Sequence, residues 1–371
     1  RIVIKDVYNN FNAAYFQRMT KLESRLVNLN LSVMEKKNMK EWMGKVMSDT
    51  TRIAIPIMTH PGIELSGRKV IDAVTDGEVH AEAIVALNQK YPASASTVIM
   101  DLTVEAEAFG AEVVFPEDEV PNVTGRLLHN YKEVEALQIP SLDGPRVQEY
   151  LKANQMVAEM IDDKPSFGGC IGPFSLAGRL FDMTEIMMAI YTEPETITLL
   201  LKKCTSFITS YCRAMKERGA AGVIIAEPAA GLISNEDCSE FSSKYVKEIV
   251  DKVQDDHFMV VLHNCGNTGH CTQAMLEAGA MAYHFGNKID ITEALKQCPE
   301  DVLVMGNLDP VGLFKQASAA EVKEATREML KVTSSWKNYI LSSGCDVPPH
   351  TPLENIEAFY EALEEYNQTR N

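Results

Sequence analysis

The chain has 371 residues, of which 46% are hydrophobic and 23% charged, and its formal net charge is −17. This negative charge disfavours a nucleic-acid ligand, because the sequence has no basic patch that would overcome the repulsion. No apolar run reaches the roughly 20 residues of a membrane-spanning helix, and no signal peptide opens the chain, so we expect a cytoplasmic protein without a membrane partner. Its eight cysteines are then expected to be reduced thiols.

The first 50 residues are expected to form a partly helical N-terminal extension, followed by a barrel domain over residues 51–371. The stretch from Arg1 to Gln17 is left out of the fold prediction, and Met19 is interpreted as the native start. Residues 19–50 have helical patterns and are expected to lie against the barrel.

Beyond residue 50, short β-rich apolar runs alternate with amphipathic helical patterns. Eight such units in a chain of this length favour an α/β fold of the (β/α)8 TIM barrel type, and a doubly wound open sheet is the alternative. The run Val113–Phe115 is expected to form an extra hairpin or excursion after the second strand. The predicted strands are Ile53–Met58, Ser96–Asp101, Phe167–Gly172, Gly222–Glu227, His257–His263, Ala280–Phe285, Val302–Gly306 and Ile340–Ser343. The predicted helices include Glu195–Glu217, Asn235–Val253, Gly269–Ala278, Ile291–Gln297 and Ala319–Val332.

Polar or metal-capable residues stand at the end of nearly every predicted strand, where barrel enzymes carry their chemistry. His263 and Cys265 are two residues apart at one strand end, so their side chains project to the same side. Cys345 ends the last strand and is expected at the same rim. One imidazole and two thiolates form a zinc-binding set that leaves a coordination position open.

Each candidate also has a structural interpretation, since buried free cysteines and hydrogen-bonded core histidines are common. His270 and Cys271 are rival ligands, although they open the next helix. Glu227 ends a neighbouring strand, and it is interpreted either as a fourth ligand in the absence of substrate or as a hydrogen-bond acceptor near the metal. Asp101 is either a functional carboxylate or the cap of a helix over Val104–Phe109.

Several segments carry a family resemblance. The most specific are Leu262–Thr268, which reads LHNCGNT, and Ser342–Pro349, which reads SSGCDVPP. Together with three others, they resemble the uroporphyrinogen decarboxylase superfamily and, within it, the corrinoid-dependent methyltransferases of the methylcobamide:coenzyme M type. The resemblance covers most of the chain beyond residue 50, and it implies that the family's zinc triad corresponds to His263, Cys265 and Cys345. The other segments are Ile171–Gly178 (IGPFSLAG), Gly306–Pro310 (GNLDP) and Asp101–Gly110 (DLTVEAEAFG).

The sequence departs from the decarboxylase itself. That enzyme needs no metal, and an arginine-bearing N-terminal motif grips the carboxylates of its porphyrin substrate. The corresponding segment here, Ile55–Gly62, reads IPIMTHPG and contains no arginine. By resemblance, the decarboxylase's key aspartate corresponds to Asp101. Because of this one correspondence, a uroporphyrinogen-type decarboxylase is kept as the second alternative function.

The resemblance implies methyl transfer between a corrinoid (cobalamin), carried by a partner protein, and a small-molecule methyl acceptor or donor. Zinc deprotonates a bound thiol, and two sulfur ligands favour a soft partner, so the main prediction is a zinc-activated thiol. The first alternative is an O-demethylase-type enzyme that moves the methyl group from a methoxy or methylamine donor to cob(I)alamin. Asn267, Asn287 and Asn307 are candidates for polar contacts to the cofactor, and Glu227 and Asp101 are the candidate catalytic groups.

Overall fold

A parallel sheet of seven strands forms the centre of the protein, for which a computed structural model describes residues 37–370. The strands in chain order are β1 Ser96–Thr97, β2 Glu112–Val114, β3 Asn122–Thr124, β4 Ser166–Ile171, β5 Gly222–Ala226, β6 Met259–Asn264, β7 Ala282–Phe285, β8 Leu303–Leu308 and β9 Tyr339–Ser343. The sheet runs β1-β4-β5-β6-β7-β8-β9, and β2 pairs with β3 as a separate antiparallel hairpin. The predicted excursion after the second strand is therefore confirmed, and so is the α/β barrel class.

The first predicted strand, residues 53–58, lies between the two edges of this sheet without forming a regular ladder. On one side Ala54 bridges Leu341 of β9 in parallel. On the other side the N–H of Ser94, just before β1, donates to the carbonyl of Ala54 at 2.9 Å. The eighth position of the barrel is thus filled by an irregular segment.

The irregularity of this segment follows from its sequence. Pro56 has no N–H to donate to a neighbouring strand. Around Pro56, side-chain hydroxyls accept hydrogen bonds in place of the carbonyls of a neighbouring strand. The N–H of Ile57 donates to Ser343 Oγ at 3.1 Å. The N–H of Met58 donates to Thr97 Oγ1 at 3.2 Å. Side chains therefore satisfy backbone groups that a regular strand would have paired.

Helices pack around the sheet. They are α1 Met39–Ser48, α2 His60–Leu65, α3 Val70–Thr75, α4 Gly77–Lys90, α5 Val104–Ala108, α6 Tyr131–Ala136, α7 Pro145–Met160, α8 Pro173–Phe181, α9 Met183–Thr192, α10 Pro194–Glu217, α11 Asn235–Cys238, α12 Lys244–Val253, α13 Thr272–Leu276, α14 Ile291–Gln297, α15 Ala319–Val332 and α16 Leu353–Gln368. Over residues 37–370, none of them combines the length and the apolar character that crossing a bilayer would need.

Two of the predicted helices differ from the observed ones by more than one residue. The predicted helix Asn235–Val253 is interrupted by a π-helical turn, Ser239–Ser243, which separates α11 from α12. The predicted helix Gly269–Ala278 is reduced to the short α13, because residues before it form a hydrogen-bonded loop around Asn267. Helices α14 and α15 have the predicted bounds.

The alternation of side chains along each strand separates two buried layers. On β6, Val260 and Leu262 belong to the layer under the helices, whereas Met259 and Val261 belong to the cluster inside the barrel. Since side chains alternate strictly along a strand, His263 continues the inner set. This register directs the imidazole of His263 into the carboxyl end of the barrel.

Helix α1 covers the opposite, amino-terminal end of the barrel. Met39 is fully buried in the inner cluster, and Trp42, Met43 and Val46 pack against it. That cluster includes residues at the starts of several strands, such as Leu303 at the start of β8. Of the predicted N-terminal extension, residues 39–48 are this helix, and residues 1–36 lie outside the described residues.

Candidate metal centre

The three side chains predicted as zinc ligands meet at the carboxyl end of the barrel. His263 is near the end of β6, Cys265 follows that strand directly, and Cys345 lies two residues beyond β9. One ligand atom from each residue lies within 4.8 Å of the other two. In residues 37–370 this is the one group of His, Cys, Asp or Glu side chains that converges in this way.

The spacing and chemistry of these atoms fit a zinc ion. Tetrahedral zinc bonds of about 2.0 Å to nitrogen and about 2.3 Å to sulfur place ligand atoms roughly 3.5 to 4 Å apart. His263 is 2% exposed, and its Nε2 has no hydrogen-bond partner among the described residues. A buried polar atom without a partner is unfavourable unless a ligand completes it. One nitrogen and two sulfurs leave a fourth position for a substrate.

The two half-buried thiols interact with each other. A hydrogen bond from Cys345 holds the pKa of Cys265 well below the usual thiol range, and the neighbouring His263 lowers it further. The thiolate at Cys265 in turn raises the pKa of Cys345. One sulfur is therefore ready to bind as a thiolate, and a cation would stabilise the second in the same form.

Two glycines allow the cysteine-bearing loops to approach this closely. A Cβ at Gly286 would lie 2.5 Å from the Cα of Cys265, and a Cβ at Gly344 would lie 2.8 Å from the backbone nitrogen of Asn287. Both distances are shorter than van der Waals contact allows. The loop after β7 is thus held between the loop of Cys265 and the loop of Cys345, and its small cross-section sets their separation.

We therefore expect a Gly286→Ala substitution to weaken zinc binding by at least about tenfold, comparable to losing a group that orients a ligand. The added methyl group would displace Cys265 while leaving every ligand atom present. The measurement is zinc competition with a chromogenic chelator. Gly44→Ala in α1 is the matched control, since a Cβ there meets no atom within 4 Å, and it is expected to bind zinc as the unmodified protein does.

His284 and Ser342, to which the sequence analysis assigned no role, extend the site. His284 on β7 is paired in register with His263 on β6, and their Nδ1 atoms are 2.8 Å apart. The Nε2 of His284 is 2.9 Å from the Oγ of Ser342. Burial lowers the pKa of His284 well below its ordinary value, so its ring is neutral. Aligning the ends of neighbouring predicted strands would have placed His284 beside His263.

Comparison with known proteins shows which family the chain belongs to. The uroporphyrinogen decarboxylase (URO-D) family model matches residues 49–366. The chain belongs to the uroporphyrinogen decarboxylase family. It is 30% identical over 308 residues to the methylcobamide:CoM methyltransferase MtbA of Methanosarcina acetivorans, which is 82% of this chain and 89% of that protein. It is 27% identical over 299 residues to the uroporphyrinogen decarboxylase of Legionella pneumophila, which is 78% of this chain and 83% of that one.

This chain has the same fold as a solved structure of a methyltransferase from Methanosarcina mazei. It superposes with a TM-score of 0.79 at 23% identity, and the match covers 88% of this chain and 97% of that one. The resemblance to the superfamily and to its methyltransferase branch is therefore confirmed, and so is the prediction of a methyltransferase enzyme.

Glu227 follows β5 and does not belong to the converging group. Its Oε1 accepts the N–H of Ser175 at 2.9 Å, and its Oε2 accepts the N–H of Phe174 at 3.2 Å and the hydroxyl of Ser242. Burial raises the pKa of this carboxyl, and these hydrogen bonds offset part of the rise. Both oxygens are used at the N-terminus of α8, which favours the hydrogen-bonding interpretation over that of a fourth metal ligand.

Asp101 is likewise occupied by protein groups. Its Oδ2 forms an ion pair with Arg146 and accepts the hydroxyl of Tyr150 at 2.8 Å. Its Oδ1 accepts the N–H of Thr103 at 3.0 Å and the hydroxyl of the same residue at 2.6 Å. The side chain of Asp101 is 0% exposed. This geometry ties the end of the second predicted strand to α7 and to the residue that precedes α5.

Glu105 on α5 is a buried carboxyl that the sequence analysis did not single out. It is 1% exposed, its Oε1 accepts the N–H of Ile171 at 3.0 Å, and its Oε2 has no partner among the described residues. Burial raises the pKa of Glu105 to about 8. The folded protein therefore holds a proton there that the unfolded chain releases at a lower pH.

This shift predicts how stability depends on pH. The contribution of protonated Glu105 is fully present below the unfolded pKa and is lost as the pH rises through about 8. In urea unfolding, the free energy of unfolding of the Glu105→Gln variant relative to that of the unmodified protein should therefore increase as the pH is raised from 5 to about 9. The exposed Glu300→Gln is the control and should run parallel to the unmodified protein. An unchanged difference for Glu105→Gln across that range would contradict the prediction.

The three predicted asparagines occupy different environments. The amide of Asn267 is buried and used within its own loop, where its Oδ1 accepts the N–H groups of Gly269 and Cys271. The Nδ2 of Asn307 donates to two backbone carbonyls in the loop after β7. Asn287 is exposed in that same loop, beside the converging group. Its amide is thus the most accessible of the three.

The rival ligands lie outside the converging group. His270 is exposed, and its Nε2 is 3.0 Å from the carbonyl of Ile233. Cys271 is buried, and its thiol donates to the carbonyls of Ala230 and Ile233. Both side chains therefore serve the packing of the loop that follows β6.

Proposed function

We propose that this chain is a zinc-dependent methyltransferase that moves a methyl group between a corrinoid on a partner protein and a small thiol. The observation that carries the proposal is the convergence of His263, Cys265 and Cys345 at the carboxyl end of the barrel, with the Nε2 of His263 unpartnered. The similarity to MtbA, a protein named for methylcobamide and CoM, supports it.

The donor set favours zinc and a soft substrate. One neutral imidazole and two thiolates offer a borderline-soft ion the ligands it prefers, and two negative charges balance its own charge. When bound, zinc keeps a substrate thiol deprotonated and nucleophilic at neutral pH. A thiol fits this position better than the oxygen of a methoxy donor, because the two ligands already present are sulfurs.

The remaining residues of the site position it. Glu227 joins the N-terminus of α8 to the end of β5, and Asp101 joins the end of the second predicted strand to α7. We assign both carboxylates to holding the rim of the barrel rigid, so that the acceptor sulfur stays aligned with the methyl group. Alignment of this kind is one of the largest contributions that a protein makes to a transfer between two bound partners.

The corrinoid side of the reaction points to Asn287. It is exposed between the two cysteine-bearing loops, so its amide is the one of the three candidates that a corrinoid presented by a docked protein could reach. Asn267 and Asn307 act indirectly, because their amides hold the loops after β6 and β7 in place.

The test is a zinc assay on the purified protein, followed by a thiol panel with free methylcobalamin. We expect bound zinc and thiol-dependent loss of methylcobalamin, seen as a change in its visible spectrum and fastest with one small thiol. Conversion of uroporphyrinogen by the metal-free protein would support the decarboxylase alternative instead. Demethylation of an aryl methyl ether with cob(I)alamin, without reaction of any thiol, would support the O-demethylase alternative.

A further inference from the structure

The imidazole of His263 lies at the end of a buried hydrogen-bond chain that runs across three strands. His263 on β6 and His284 on β7 are in register, and the alternation of side chains places both on the inner face of the barrel. Their rings meet edge to face, with centroids 4.6 Å apart and Nδ1 atoms 2.8 Å apart. The chain continues from His284 Nε2 to Ser342 Oγ on β9 at 2.9 Å, and from Ser342 Oγ to the carbonyl of Ile55 at 2.7 Å.

The carbonyl at the far end determines where each proton lies. The Ile55 carbonyl can only accept, so Ser342 donates its hydroxyl proton to it. The Ser342 oxygen then accepts from the Nε2–H of His284, which leaves the Nδ1 of that neutral ring as an acceptor. The Nδ1 of His263 must therefore carry a proton and donate it to His284. What remains is a lone pair on the Nε2 of His263, the atom without a partner.

The opposite arrangement is unfavourable. If His284 donated from Nδ1 as well as from Nε2, its ring would be a cation buried with 0% exposure and without a carboxylate among the contacts described here. The proton of His263 would then move to Nε2, the atom without a hydrogen-bond partner, and no lone pair would be left there for a metal. A buried cation and an unpaired N–H are both costly.

We propose that His284 is a positioning residue that fixes His263 in the tautomer that binds a metal through Nε2, and that Ser342 fixes His284 in turn. This inference rests on the proposed metal centre. It explains how His263 is kept as a neutral imidazole whose Nε2 lone pair is ready to bind a metal. Groups that orient a histidine ligand in this way typically contribute about 10- to 100-fold to metal affinity.

The test measures the zinc affinity of three variants by chelator competition. The visible spectrum of each variant with cobalt(II) in place of zinc is recorded beside it. His284→Phe keeps a ring of similar size without an acceptor, and we expect about 10- to 100-fold weaker zinc binding. The backbone carbonyl of His284, 3.3 Å from His263 Nδ1, survives the substitution and keeps the loss from being complete. His284→Asn restores an acceptor near the same place and should recover most of the affinity.

Ser342→Ala removes a single oxygen and should weaken zinc binding in the same direction, so the proposal stays testable if His284→Phe does not fold. Because losing a buried hydrogen bond also lowers the midpoint of thermal unfolding of the metal-free proteins, positioning is separated from general packing by comparing His284→Asn with His284→Phe, of which only His284→Asn keeps an acceptor for His263. Zinc affinity equal to that of the unmodified protein in His284→Phe, or in Ser342→Ala, would overturn the proposal. So would a zinc affinity in His284→Asn no higher than in His284→Phe. Failure of the unmodified protein to bind zinc would instead reject the proposed function itself.

Discussion

Replacing Cys345 by alanine is expected to remove most of the bound zinc and to abolish thiol-dependent demethylation of methylcobalamin. The remaining pair, His263 and Cys265, comes from one strand end and cannot enclose an ion alone. Because charge stabilisation by a catalytic metal is worth several kcal/mol, and each 1.4 kcal/mol is about a factor of ten, the rate should fall at least about 100-fold. Zinc content by atomic absorption and the methylcobalamin assay measure the two effects together.

Cys298→Ala is the matched control for this substitution. Cys298 is a buried cysteine that follows α14 outside the converging group, and burial raises the pKa of its thiol to about 12. This variant should keep its zinc and its rate. His263→Ala should behave as Cys345→Ala does. Full zinc content and a normal rate in Cys345→Ala would rule out the assignment of this residue as a ligand.

Replacing Arg146 by methionine is expected to lower the free energy of unfolding by about 3 to 5 kcal/mol, because it leaves the buried carboxylate of Asp101 without its counter-charge. Arg146 also donates to Glu107 and to the carbonyl of Val74, so several buried contacts are lost together. Urea unfolding at neutral pH gives the difference directly.

The control is Arg327→Met, which removes an exposed ion pair with Glu365 and should change stability by less than about 1 kcal/mol. Combining Arg146→Met with Asp101→Asn removes the unpaired charge and should recover part of the loss. If the double variant folds and retains methyl transfer, Asp101 acts by positioning the rim. Complete loss of activity in a stable double variant would show that the carboxylate takes a direct part in the reaction.

The convergence of His263, Cys265 and Cys345 could be predicted from the sequence because it follows from local rules. His263 and Cys265 are two residues apart at one strand end, so their side chains point to the same face. The carboxyl ends of all strands of a barrel lie at the same rim. Cys345 could be joined to them without knowing the distance between β6 and β9. The structure supplies that distance and the reason for it, the close approach of Gly286 and Gly344 to the neighbouring loops.

The less predictable features depend on partners far away in the chain. The pairing of Asp101 with Arg146 spans 45 residues, and Glu227 is held by groups on α8 that lie about fifty residues before it. Nothing in the local sequence distinguishes such a satisfied carboxylate from a free one. The same holds for Asn267 and Asn307, whose amides are used by backbone groups, whereas Asn287 is exposed.

The groups that replace regular strand pairing in the first predicted strand could not be predicted from the sequence either. The run of residues 53–58 is apolar and reads as a strand, yet Pro56 interrupts the ladder, and hydroxyls from neighbouring strands satisfy the backbone around it. His284 was visible as a strand-end residue, but its role emerged only from the register that sets it beside His263.

Zinc K-edge X-ray absorption on the purified protein shows directly whether His263, Cys265 and Cys345 share one ion. We expect a four-coordinate zinc with two sulfurs at about 2.3 Å and one imidazole nitrogen at about 2.0 Å, and a third sulfur when a substrate thiol is added. A zinc ion with no sulfur ligands, or a fully active protein from which zinc is absent, would contradict it.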